Sequence, residues 1–428
     1  MTTVAPYVHR GRERRRRLEE MLAFALAYRG WTTRQLGRAL DRDPSNLVPD
    51  SGIPKLDLVV RLAEVLGWPL QEVVNELGCE TAAPTRPGAG EPIETTGGGD
   101  DAFGSPTASG APPVGDAAPL EEVLAWERAG RFTHAIEAAR RGIDRFGADE
   151  RARLPLMERL CVCYEATGHL VEARALAGEV AERTLAYERE DAMLAMHARS
   201  CARRGACRAE IALANGAPYG ETSRETSCET SRETSGVPSA HRPALLSAAN
   251  DLHRARGLLA SPRVQQSDPH ADAAASIAAA ALLEINVGLG ERSARDAVTE
   301  AMTTIEAAID IEATDAGPKL EALGWWCLAG CRIAMAHLQQ EAELHRTLAI
   351  LTNKADEIAH AVGSWRLHER VLTMEFARRE RVADWLGAAE AWVLDRDDVR
   401  LIVGCVGGNP RFRDIGLRIL RSATITEG

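Results

Sequence analysis

Thiols, imidazoles and one glycine-rich turn are the groups in this sequence with chemistry to offer, and their spacing argues against each. Cys161-Val162-Cys163 lies in a helical pattern, where positions i and i+2 do not face together, so the two thiols cannot share a metal. Cys327 and Cys331 fall on the apolar stripe Leu320, Leu323, Cys327, Cys331, Ala334, Leu338 and read as structural thiols. His197, Cys201 and Cys207 are one turn plus an uneven step apart, a poor ligand set. Gly404-Cys405-Val406-Gly407-Gly408-Asn409-Pro410 lacks the Gly-Lys-Ser/Thr ending of a phosphate loop and follows helical spacing, so it reads as a turn capped by Asn409 and Pro410. The 11 histidines include no metalloprotease pair, there is no nucleophile elbow, and Trp325-Trp326 is assigned to core packing. The expectation is a protein with no catalytic residue, no metal and no cofactor.

Charge and small polar side chains remain. The 428 residues carry a net charge of −11, yet residues 1–78 hold 12 Lys/Arg against 10 Asp/Glu, so any nucleic-acid contact belongs near the N-terminus. Within Arg10-Gly11-Arg12-Glu13-Arg14-Arg15-Arg16-Arg17, a basic arm over residues 1–17, the cations would oppose a helix macrodipole. Two readings stay open: Arg14, Arg15, Arg16 and Arg17 neutralise phosphates, or the arm is a mobile tail in an arginine-rich proteome, since only Lys55, Lys319 and Lys354 are lysines. Hydrophobic residues make up 45% and aromatics 4%, which implies an aliphatic core spread over two or three domains. Nine cysteines are too sparse for a disulfide scaffold and point to a reducing cytoplasm. Glu19 and Glu20 interrupt the apolar stretch after the arginines, which argues against a signal peptide. The longest apolar run, Ala273 to Leu283, is too short to span a membrane.

Apolar spacing is helical throughout, so the fold class is all-α. Over residues 18–78 the spacing predicts five short helices. Leu18, Met21, Leu22, Ala25 and Tyr28 give the first its buried face, and Thr32-Thr33-Arg34-Gln35 has the form of a capping box opening the second. Asp43-Pro44 opens a third over Ser45, Asn46 and Leu47, Pro54 a fourth burying Leu56, Val59, Val60, Ala63 and Leu66, and Pro69 a fifth burying Leu70, Val73, Val74 and Leu77. Two short helices joined by a tight turn and propped by others can present a helix to the major groove. Trp31-Thr32-Thr33-Arg34-Gln35-Leu36, Pro54 through Gly67, Leu70 and Val73-Val74 resemble the Cro and lambda-repressor (XRE) helix-turn-helix family. That resemblance implies phosphate contacts from Thr33 and Arg34 and a recognition helix starting at Ser45 and Asn46, with double-stranded DNA as partner. The sequence departs from the family in a shorter Leu36-to-Pro54 segment, in Pro49, which predicts a truncated third helix, and in Gly37 where the family carries alanine.

Residues 79–119, rich in Pro and Gly, predict a disordered linker, and four copies of Glu-Thr-Ser-X from Glu221 to Gly236 predict a disordered loop at about 214–242. The rest of 120–428 reads as antiparallel helix pairs. Gly130 and Gly168, Phe132 and Leu170, and Ala135 and Ala173 are each 38 residues apart, a frame that resembles tetratricopeptide repeats and implies an α-solenoid able to hold a peptide or protein. A helix-turn-helix joined to such an array is similar to peptide-responsive bacterial transcription regulators. The expected function is therefore a cytoplasmic DNA-binding regulator, as a homodimer, and the alternative is a non-catalytic scaffold whose helix-turn-helix no longer binds DNA.

Overall fold

The computed structural model describes residues 5–49, 54–68, 70–78, 118–216, 240–308, 317–387 and 391–426. Of the expected linker over 79–119, residues 79–117 lie outside the described residues and Ala118-Pro119 already open a helix. Of the expected loop at about 214–242, residues 217–239 lie outside them, 214–216 are helical and Arg242 opens the next helix; Pro69 lies outside them too. The described chain is almost wholly helical, as the spacing predicts, and divides into two compact units.

The chain opens with α1 (Ala5–Arg29), α2 (Thr33–Leu40), α3 (Leu56–Leu66) and α4 (Leu70–Gly78). Over its described residues, 5–17, the expected arm is not a separate segment, because α1 runs through them. Arg14 to Arg17 thus stand well beyond the first turn, where the macrodipole penalty has faded. Leu18, Met21, Leu22, Phe24 and Ala25 of α1 pack with Leu36 and Leu40 of α2 and with Leu58, Leu62 and Leu66 of α3 in the buried core of this unit. The predicted faces of the last two helices need correction. Leu56 is 69% exposed, Leu70 and Val74 are exposed and Val60 is half-buried, because Leu58, Leu62 and Val65 turn inward instead.

The second unit contains α5 (Ala118–Arg128), α6 (Phe132–Phe146), α7 (Glu150–Thr167), α8 (Leu170–Thr184), α9 (Asp191–Gly216), α10 (Arg242–Leu259), the short α11 (Pro262–Ser267), α12 (Ala271–Gly288), α13 (Ala294–Ala308), α14 (Pro318–His337), α15 (Glu341–Val362) and α16 (Trp365–Leu386). Packing is mainly between neighbours in sequence: α6 on α7, α7 on α8, α8 on α9, α9 on α10, then α12, α14, α15 and α16 in succession. Gly130 and Gly168 end their helices at positive φ, 70° and 86°, the left-handed conformation that glycine adopts without strain. α12 is long and apolar enough to cross a membrane by composition, exceeding the run read from sequence, but half of it is buried and it packs against α10 and α14.

Beyond α16 come β1 (Trp392–Leu394), α17 (Arg396–Gly408), α18 (Arg413–Ser422) and β2 (Ala423–Ile425), with the strands paired in parallel. Three-residue strands carry no readable alternation, so the sequence predicts none. Residues 396–407 of α17 belong to the first unit. There the Trp68 indole N–H donates to the Val403 carbonyl at 3.3 Å, and a Cβ on Gly407 would lie 2.6 Å from the Trp68 ring. Val399, Ile402, Val403 and Val406 form the buried stripe of this helix.

Within the second unit α16 also reaches back to α7 and α9 through ion pairs. Arg366 binds Glu165 at 2.7 Å, Arg370 binds Glu210 at 2.6 Å, Arg203 binds Glu165 at 3.1 Å, and Arg411 binds Glu369 at 2.6 Å. Arg366 and Arg203 hold the Glu165 carboxyl below the usual range against the opposing effect of burial. Arg370 and Arg411 take Glu210 down to about 2, again against desolvation. The same C-terminal segment covers both turn glycines: a Cβ on Gly408 would run into the Gly130 carbonyl oxygen, and Arg411 packs on Gly168.

Candidate nucleic-acid interface

The turn between α2 and the segment after it is built as its sequence predicts. Thr32 sits in extended conformation ahead of α2; its hydroxyl accepts from the Gln35 N–H at 3.4 Å, and the Gln35 carbonyl oxygen accepts from the Thr32 N–H at 2.8 Å. The Gln35 acceptor is its side-chain amide oxygen Oε1, so two donors at the start of α2 are satisfied reciprocally. Asp41 ends the helix at φ 55°, the left-handed conformation that aspartate tolerates better than most residues. Gly37 lets the chain fold back closely, since a Cβ there would lie 2.9 Å from the Arg42 carbonyl oxygen and 3.1 Å from Pro44 Cγ.

The third helix is cut short, as Pro49 predicts. Pro44–Asn46 form a single 3-10 turn, Leu47 is buried beneath it, and Pro49 follows. One such turn is only about 6 Å long, so it offers two side chains outward where a recognition helix offers several. Ser45 and Asn46 are both exposed. The Asp43 carboxylate accepts from the Ser45 hydroxyl and, at 2.8 Å, from its N–H, and these two bonds lower the Asp43 pKa. Asn46 alone carries an uncommitted side chain among the described residues of this turn.

The expected cations divide into two kinds. Thr33 and Arg34 open α2 and are exposed, and Arg38, one turn on, is exposed too. Lys55 is exposed just ahead of α3. No described carboxylate pairs with Arg34, Arg38 or Lys55. Arg38 and Lys55 escape the motif reading, although the four-residue step from Arg34 to Arg38 is visible in the sequence. The other cations are engaged: Arg42 binds Asp57 at 2.6 Å and Arg61 binds Asp41 at 3.3 Å. Arg15 pairs with Glu19 at 3.0 Å and Arg16 with Glu20, both on the surface. Arg17 is largely buried; it donates to the Glu76 backbone carbonyl at 3.1 Å and lies 3.7 Å from its carboxylate, tying α1 to α4. Arg17 therefore has a structural task, while Arg14 is half-buried on α1.

The groups set aside on spacing have packing explanations. Burial pushes the Cys161, Cys163 and Cys327 thiols up to about 12, and Cys207 and Cys331 upward as well, so none is a thiolate at neutral pH. His197 Nδ1 lies 2.8 Å from the Ala181 carbonyl oxygen, which can only accept; Nδ1 carries the proton and Nε2 faces Cys201 Sγ at 3.6 Å. Trp326 is buried with its N–H on the Ser276 hydroxyl at 3.0 Å, and the Arg366 guanidinium lies 5.2 Å from the Trp325 ring centroid. Asn409 precedes a 3-10 turn over Pro410–Phe412, but its side chain makes no capping bond. No protein-family model matches the chain, and no curated protein is significantly similar to it.

Proposed function

We propose that the first unit binds double-stranded DNA, as a shortened relative of the XRE helix-turn-helix modules, and that the chain is a bacterial cytoplasmic transcription regulator. The observation that carries this reading is the exposed Asn46 turn in the same compact unit as Arg34, Arg38 and Lys55, cations without a described acidic partner. Phosphate contacts supply most of the affinity and Asn46, a side chain suited to adenine, supplies the base reading. So little base contact per module favours a homodimer that reads two half-sites. The helical array of the second unit docks a peptide or protein away from the acidic side chains of α7 and α9, which α16 and Arg411 already engage.

One observation favours a second reading, a protein-binding scaffold: Asp41, Asp43 and Asp57 flank the turn, and their charge repels phosphate. Electrophoretic retardation of genomic fragments by the full chain separates the two. The regulator shifts a subset of fragments, and Asn46→Ala abolishes the preference among them while leaving general retention. Failure to retard any fragment at low salt leaves only the scaffold.

A further inference from the structure

The sequence predicts no metal site, because its histidines lack the spacing of a known motif, yet folding gathers a ligand set at the corner between α15 and α16. Asp356 and His360 are four residues apart on α15, and His368 lies in the first turns of α16, across the Gly363-Ser364 corner. One carboxylate oxygen and one nitrogen from each imidazole lie within 4.8 Å of one another. The two rings meet edge to face with centroids 4.5 Å apart.

Two further observations point to a cation. His368 is 6% exposed, and its Nδ1 is buried without a hydrogen-bond partner. His360 Nδ1 lies 3.0 Å from the Asp356 backbone carbonyl oxygen and 3.4 Å from the Asp356 carboxylate. A carbonyl can only accept, so Nδ1 carries the proton and Nε2 the lone pair, the outer-shell arrangement that orients metal-binding histidines. The Asp356 and His360 side chains are about half exposed, 47% and 58%, so both can close the last distance to a bound ion.

We propose that Asp356, His360 and His368 bind a divalent cation of the zinc class, with water completing the shell, and that the ion pins the end of α15 to the start of α16. Two imidazoles and one carboxylate suit zinc, cobalt or nickel, whereas magnesium and calcium require oxygen ligands throughout. Three protein ligands leave a fourth tetrahedral position to solvent on the exposed side. His368 adjoins Glu369, whose carboxylate holds Arg411, so the pin would steady the part of α16 that reaches α7 and α9.

The test is titration of the untagged full chain with zinc in competition with a chromophoric chelator, repeated with cobalt to read coordination geometry from its visible bands. The wild type binds one equivalent more than His360→Ala and Asp356→Asn, with tetrahedral cobalt bands that both substitutions remove. Zinc raises the Tm of the wild type and leaves that of His360→Ala unchanged. His360 is exposed, so its loss keeps the fold, as circular dichroism will show. Equal stoichiometry and affinity in wild type and His360→Ala, including binding by thiols alone, overturns the site. A Tm that zinc does not move overturns the pin.

Discussion

Gly37 shows how one missing Cβ shapes the candidate interface. Helix propensity alone favours alanine there by about 1 kcal/mol. Against it stand the Arg42 carbonyl and the Pro44 ring, one of them rigid backbone, so Gly37→Ala should lose about 1–3 kcal/mol in chemical denaturation. A stabilised variant would mean that the 3-10 turn does not lie where it is placed. The sequence made this glycine visible as a departure from the resembled family. The purpose of Arg17 was hidden, since its partner Glu76 is 59 residues away and a run of like charges reads as a solvated face. Among acidic residues, Glu210 sets a pH dependence. Its folded pKa of about 2 lies below the ordinary value, so its ion pairs with Arg370 and Arg411 contribute stability above about pH 4.5 and lose it as pH falls toward 2. Acid unfolding followed by circular dichroism should show a shallower loss over that range in Glu210→Gln than in the wild type.

At the scale of elements, helix positions were legible and the contacts between distant helices were not. α15 and α16 each end at a glycine in the left-handed conformation, Gly363 and Gly387, and apolar periodicity with glycine stops is a local signal. The 38-residue frame at Gly130 and Gly168 was legible as well, but not why both turns must stay small. Gly408 and Arg411, far along the chain, press on them. Such pairings leave no periodic trace. Arg411 makes the shortest ion pair of Glu369, which is 2% exposed and otherwise has only Arg370 Nε at 3.7 Å and the Thr373 hydroxyl at 3.4 Å, so Arg411→Ala leaves a buried carboxylate poorly paired and should cost about 3 kcal/mol in urea unfolding. Adding Glu369→Gln to Arg411→Ala should recover part of that loss. If the double variant is no more stable than the single, the pair does not carry the load assigned to it.

For the whole molecule, the division into two units cuts across the order of the sequence. Residues 396–407 complete the first unit, with Trp68 only 5% exposed beside Val403 and Gly407. No composition shift marks this return. A fragment ending near residue 80 should therefore expose Trp68, bind a hydrophobic dye and melt below the full chain, and a fragment as stable as the parent would show that α17 is dispensable. The charge distribution was legible, with basic residues slightly in excess over 1–78 inside a chain of net charge −11. Which of those cations stay free of acidic partners is a property of the fold. The direct measurement is fluorescence anisotropy of the full chain on duplex DNA from about 50 to 200 mM salt. Phosphate contacts by Arg34, Arg38 and Lys55 predict a log–log slope of about −3 per module, reduced by about 2 in the Arg34→Ala/Arg38→Ala double variant. No binding at the lowest salt, or a slope that the double variant leaves intact, would contradict a DNA-binding first unit.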